Sequence, residues 1–169
     1  MTIETPVWTL QEAAVRMSRA DVDDITDGLT GLYNHRYLHE RLAEELDRAL
    51  REGLCTSLLS CDLDSFRAFN DRYGHAAGDD ALRDTARILE KFTRRADLIA
   101  RYGGEEFMVV LLEADEAMAM EIAERIRAAV GERHREPDGL TISIGVATFP
   151  VAAGTKESLL EAAARAMRT

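Results

Sequence analysis

The chain has 169 residues, 46% apolar and 31% charged, enough for one domain with its own core and too apolar for global disorder. Asp and Glu number 31 against 21 Lys and Arg, a net charge of −10, which argues against a nucleic-acid binder that must neutralise phosphates. No apolar run reaches the roughly 18 residues of a membrane helix, no basic start with an apolar core marks a secretory signal, and Cys55 and Cys61 read as reduced thiols of a cytoplasmic protein.

In chain order, residues 1–7 read as frayed. Trp8, Val15, Val22 and Leu29 recur in a heptad, which predicts a helix from Trp8 to about Ile25. It is either an amphipathic helix packed on its own domain or a dimerising stalk from an upstream sensor. Thr26 to Gly31 is a turn cluster. Asn34 is the expected N-cap of a helix to about Glu52, striped by Leu38, Leu42, Leu46, Ala49 and Leu50. Thr56 to Leu63 reads as a strand buried on at least one face. Asp64 to Gly74 is polar and irregular, with room for a short helix.

A further helix is predicted from about Gly78 to Phe92, with Leu82, Ala86, Leu89 and Phe92 inward. Leu98–Tyr102 and Phe107–Leu112 form a β-hairpin across Gly103, Gly104, Glu105 and Glu106, where glycines make positive φ cheap. Ala114–Val130 reads as a helix with Met118, Ile122, Ile126 and Ala129 inward. Leu140, Ile142, Ile144 and Val146 alternate as a strand, and Ser158–Met167 begins a last helix. The order α–α–β–α–β–β–α–β–α predicts an α+β fold: a mixed, largely antiparallel central sheet flanked by helices.

Three clusters carry candidate chemistry. Alternation places Asp62 and Asp64 on one side at the end of a buried strand, where they repel unless neutralised. A hard divalent cation is the natural partner, because Mg²⁺ takes one or two carboxylates plus substrate phosphates; the alternative is that they cap the next segment. Glu105 and Glu106 sit beside glycines that let another molecule approach the backbone. If the hairpin pairs beside the Asp62 strand, Glu105 joins Asp62, and two metals there would clamp a triphosphate for in-line displacement. The alternative is a solvated turn. In the third cluster, Asn70 with an Asp can read a purine edge, and Arg67 is the basic residue nearest Asp62, suited to a phosphate. A plain loop with Asp79 as helix N-cap is the alternative.

The run RYGGEEF, with CDLDSFRAFNDRYGHAAGDDAL and DGLTGLYNHRYL upstream and LTISIGVATFP downstream, resembles the GGDEF domains, the diguanylate cyclases of bacterial signalling. The resemblance covers about residues 27–168. It implies a nucleotidyl-cyclase or polymerase-palm-like fold, an N-terminal linker or stalk over 1–26, and a catalytic domain over 27–169. It implies metal-dependent condensation of two GTP into cyclic di-GMP and two pyrophosphates, with Mg²⁺ or Mn²⁺. Asp62, the Leu63 carbonyl and Glu105 would hold metal. Glu106 would bind metal or accept the 3′-hydroxyl proton, the division between the two glutamates staying open. Asn70 and Asp79 would read guanine, with His75 and Phe66 beside the nucleotide. Arg67 stands where family members usually have Lys. Replacement of the Asp at 79 is associated with relaxed base choice in the family, so its presence implies GTP in both halves.

A symmetric product implies a transient homodimer with two nucleotides facing each other. Arg94 and Asp97 have the RxxD spacing of the family's inhibitory product site, with Arg125 assisting, which implies feedback by cyclic di-GMP. Nucleic acid and membrane are not expected partners of this chain. The sequence ends at Thr169, before the Ala-Lys-x-x-Gly-Arg stretch whose Lys and Arg touch GTP phosphates in the family, so the domain reads as C-terminally short. Either an excised catalytic domain or a short stand-alone one fits. The rival reading is a catalytically weak domain serving as a receptor for GTP or cyclic di-GMP.

Overall fold

The computed structural model describes residues 18–168, which form six helices around one four-stranded sheet. The first helix, α1 (Arg19–Ile25), opens on a capping box in which the Ser18 hydroxyl accepts from the Asp21 N–H and Asp21 bonds back to Ser18. The heptad positions Trp8 and Val15 lie outside the described residues, and Val22 and Leu29 are half-buried. Helix α2 (His35–Glu52) is capped as expected by Asn34, whose side chain accepts from the Tyr37 N–H. It ends at Gly53 with φ 67°, a left-handed cap suited to glycine. Leu50, placed on the inward stripe by its spacing, is 68% exposed instead.

The strands are β1 (Thr56–Asp64), β2 (Leu98–Arg101), β3 (Glu106–Leu112) and β4 (Thr141–Phe149), in the order β2-β3-β1-β4. Each neighbouring pair is antiparallel. Both faces are covered. Leu59, Cys61, Leu63, Phe107, Val109 and Leu111 pack under α4 (His75–Phe92) and α5 (Glu116–Arg133). Leu58, Met108, Val110, Ala147 and Phe149 pack under α2 and α6 (Lys156–Met167). Strand β1, expected to be buried on at least one face, is covered on both, Thr56 to Cys61 all being buried.

Three local expectations change. The segment after Asp64 holds the short helix it had room for, α3 (Phe66–Tyr73), but α4 begins at His75 rather than Gly78. Gly74, at φ 89°, supplies the break between them. Gly103 and Gly104 are not among the residues with positive φ, so the hairpin does not use its glycines for handedness. Helix α5 buries Ile126 and packs Ile122 on the core as expected, but Met118 is 44% exposed, and Ala119, Ala123 and Val130 complete the buried face. Small alanines carry that face, so the contrast between its sides is weak in sequence. Cys55 and Cys61 are free thiols, and burial, then the Asp62 charge, pushes Cys61 up to about 12. No described helix is long and apolar enough to cross a membrane.

Candidate active site

Strand alternation puts Asp62 on the α6 side of the sheet, and the β1–β3 register sets it opposite Glu106. The Leu63 N–H donates to the Glu105 carbonyl at 3.2 Å, which draws the hairpin tip across the end of β1. Acids distant in sequence therefore share one open cleft of about 370 Å³, lined by Asp62, Asp64, Arg67, Glu105, Ser143 and Met167 among others. Leu63 and Phe66 also reach it. Glu105 is half-buried and Glu106 exposed.

The acids differ in their partners. Asp64 accepts from the Thr141 hydroxyl at 2.7 Å and the Ser143 hydroxyl at 2.6 Å, which ties it to β4. Neither acid caps α3, since its N-cap is Ser65 and has no side-chain cap bond. Among the described residues Asp62 receives no stabilising donor. Burial, then the charges of Glu105, Glu106 and Asp64, pushes it up to about 6. A carboxylate so placed is short of a positive partner. Among the described residues no three His, Cys, Asp or Glu side chains converge as a ready chelate. That donor set fits Mg²⁺ or Mn²⁺, which is held by one or two carboxylates with the rest of its shell from phosphate and water.

The hairpin tip is held by backbone and by a clamp. The N–H groups of Tyr102 and Gly103 both donate to the Glu106 carbonyl, at 2.7 and 3.2 Å. A Cβ on Gly103 would lie 2.7 Å from Glu106 Oε2, whereas Gly104 has open space above it. Arg101 donates to the Gly104 carbonyl at 2.8 and 3.1 Å and pairs with Asp27 at 3.2 Å. Asp27 is fixed in turn by the Thr30 N–H and hydroxyl, at 2.9 and 2.7 Å. Burial raises Asp27, but those donors and Arg101 outweigh it and leave its carboxyl below the usual range. Asp27 and Arg101 thus brace the hairpin tip, a contact that sequence reasoning missed. The available signal was Asp27 with Thr30 three positions on, a side chain able to close its own turn.

Asn70, His75 and Asp79 are not among the residues lining that cleft; Asn70 of α3 lies over Gly78 of α4 so closely that a Cβ there would be 1.8 Å from Asn70 Oδ1. That oxygen is buried without a hydrogen-bond partner. Asp79 follows Gly78, exposed in the second turn of α4, so it is not the N-cap. Arg67 is exposed in the first turn of α3, and His75 is the exposed first residue of α4. Phe66 is 8% exposed and belongs to the core, forming part of the cleft floor.

Arg94, Asp97 and Arg125 lie apart, where α4 runs into β2. Asp97 is buried and accepts from the Leu112 N–H at 3.0 Å and the Arg94 N–H at 2.8 Å. The Arg94 guanidinium donates to the Leu112 carbonyl, and its Nε is 3.6 Å from Asp97. Arg125 sits over the Phe92 ring, 5.2 Å from its centroid.

The family model of the diguanylate cyclase GGDEF domain matches residues 24–169. Diguanylate cyclase A of Treponema denticola is 38% identical over 168 residues, covering 95% of this chain and 45% of the relative. The response regulator PleD of Caulobacter vibrioides is 42% identical over 145 residues, covering 82% and 32%. The chain thus spans less than half the length of these relatives. Among solved structures, the GGDEF domain of TpbB (YfiN) from Pseudomonas aeruginosa matches with a TM-score of 0.78 at 36% identity, covering 85% of this chain and 86% of that one. The coiled coil and GGDEF domain of DgcB from Caulobacter crescentus, in complex with c-di-GMP, matches with a TM-score of 0.82 at 27% identity, covering 94% and 86%.

Proposed function

The chain belongs to the GGDEF family of diguanylate cyclase domains, and from that membership we propose that it condenses two GTP into cyclic di-GMP and two pyrophosphates. The observation that carries this reading is Asp62 in one cleft with Glu105, raised to about 6 by burial and by neighbouring acids with no cation to balance them. Asp62, the Leu63 carbonyl and Glu105 would hold the divalent ion. When bound, that ion offsets the charge that develops on the phosphates and activates the attacking oxygen.

The rest of the chemistry falls to this chain's own side chains. The Asn70 amide donates to and accepts from the guanine edge and the Asp79 carboxylate accepts from it, with His75 and Phe66 bounding the nucleotide. Arg67, exposed at the cleft mouth, meets phosphate oxygens as charge shifts toward the leaving pyrophosphate. Its planar fork does so bidentately where a Lys would act as a point charge. Glu106 accepts the 3′-hydroxyl proton or adds to the metal shell. Each 3′-oxygen attacks the α-phosphorus of the facing nucleotide, one P–O bond forming as the bond to pyrophosphate breaks, and the second attack closes the ring. That symmetry calls for two domains face to face. Arg94, Asp97 and Arg125 form the site through which product restrains turnover.

Chromatography of nucleotides after incubation with GTP and Mg²⁺, beside a Glu105→Ala control, tests the reading. Cyclic di-GMP from the parent chain and none from the control is expected. Nucleotide binding without product would instead establish the receptor role.

A further inference from the structure

Tyr102 precedes the acidic tip of the hairpin, and its side chain turns away from the cleft onto α2. Its ring lies 4.3 Å from that of His35, centroid to centroid, and its hydroxyl is 3.0 Å from His39 Nε2. The two histidines stand one turn apart on α2, with centroids 4.5 Å apart. Helix α2 gives this pair a firm base, because Leu38 and Leu42 beside them are fully buried. Tyr102 in turn controls the tip, since its N–H donates to the Glu106 carbonyl at 2.7 Å. The acidic tip is therefore held on two flanks, by the Arg101 clamp and by a tyrosine anchored to a rigid helix.

We infer that His39, supported by His35, is a positioning residue that fixes the Glu105–Glu106 tip through Tyr102. The inference rests on the cyclase reading above and adds to it the residues that set the tip's position. A half-buried tyrosine hydroxyl needs a polar partner, and His39 supplies it. Around His39 stand His35 on its own helix, Tyr102 on the hairpin, and Lys156 and Glu157 at the start of α6. Burial, then the His35 and Lys156 charges, holds the imidazole below its usual range. Burial, then the Glu106 charge, raises Tyr102. The Tyr102 hydroxyl and His39 Nε2 therefore share one hydrogen bond that joins the hairpin to the helix.

Steady-state kinetics with GTP and Mg²⁺ test this on His39→Phe, Tyr102→Phe, their double variant and His39→Gln. Losing one hydrogen bond predicts a kcat about fivefold lower in each Phe variant, with KM for GTP within about twofold of the parent. The double variant is expected to be no worse than either single one, because both remove the same bond. Gln keeps a polar atom near the position of Nε2 and is expected to recover most of kcat. A merely packing role would be filled by Phe and not by Gln. Parental rates in the singles, additive losses in the double, or rescue by Phe alone would overturn the inference. If the parent makes no cyclic product, the cyclase reading fails on its own. Amide hydrogen exchange at residues 102–106 then decides: faster exchange in His39→Phe but not in His39→Gln supports the anchor, and equal exchange overturns it.

Discussion

Gly78→Ala separates base reading from folding. A methyl group at residue 78 would lie 1.8 Å from Asn70 Oδ1 and 2.9 Å from Asn70 Cγ, so the Asn70 side chain has to leave its place. Phe66 Cζ, at 3.2 Å, has to yield far less. Folding changes little. Crowding costs about 1–3 kcal/mol, but Ala inside a helix contributes about 1 kcal/mol over Gly, and the buried, unpartnered Asn70 oxygen finds water when it moves. A net change of about 1 kcal/mol is expected. Recognition changes more. Two hydrogen bonds from the Asn70 amide to a base edge, at about 1 kcal/mol each, correspond to roughly 30-fold in KM for GTP. The assay is a thermal melt beside steady-state turnover at varied GTP, with ATP as competitor. Asn70→Ala should shift KM by a similar factor, and adding Gly78→Ala to it should do no further harm. A Gly78→Ala protein with parental melting and parental KM would refute the placement of Asn70 as the base reader.

Arg101→Lys should lower stability by about 1–2 kcal/mol and kcat more than KM, because one ammonium cannot span both the Gly104 carbonyl and Asp27, whose pair is only 18% and 21% exposed. Urea denaturation and kinetics check this, and no change in either removes the clamp from the argument. Asp62 titrates near 6 when folded, above the usual value of about 3.9 for an unfolded chain. The folded state thus binds the extra proton, and stability falls as pH rises from about 4 to 6. After allowance for solvent screening this amounts to about 1 kcal/mol. Asp62→Asn should therefore gain about that much in metal-free buffer at pH 7 and nothing at pH 4, while Mg²⁺ should raise Tm of the parent but not of the variant; equal Tm values throughout would contradict it. Arg94→Ala should abolish inhibition by added cyclic di-GMP and leave turnover intact, and persisting inhibition would exclude the site. Asp97→Ala is the poorer probe, since it strips the buried acceptor of the Arg94 and Leu112 N–H groups.

What could be read in advance was whatever leaves a strong local pattern. The Asn34 cap, the strand starting at Thr56 and the glycine-tipped hairpin each rest on a few adjacent residues, and the structure reproduces all three. On α5 only Met118 was misplaced, because it and Met120, both exposed, are more apolar than the alanines the helix buries. Gly78 was misread as a helix start for a similar reason. In sequence a glycine signals a break, whereas here it sits inside α4 because Asn70 occupies the space of its Cβ. The Asp27–Arg101 clamp and the Tyr102–His39 bond join residues far apart in the chain. Nothing in either local stretch announces its partner. Their geometry exists only once β2 and β3 pair and α2 lies across that sheet.

This division follows from the electrostatics of the cleft. Asp62, Asp64, Glu105 and Glu106 repel one another, and Asp62 registers the strain as a raised pKa. Left to themselves, acids on a hairpin tip would splay into water. The tip can stay near Asp62 only if uncharged or oppositely charged groups restrain it from outside the cluster. Arg101 supplies a cation beneath the Gly104 carbonyl, Thr141 and Ser143 absorb the charge of Asp64, and Tyr102 ties the strand end to α2. None of these restraints neutralises Asp62 itself. The donors of the fold thus hold the acids in place and leave the charge of Asp62 without a counter-charge among the described residues, which is what the proposed cation site calls for. A cluster serving only stability would be arranged the other way, with its donors on Asp62.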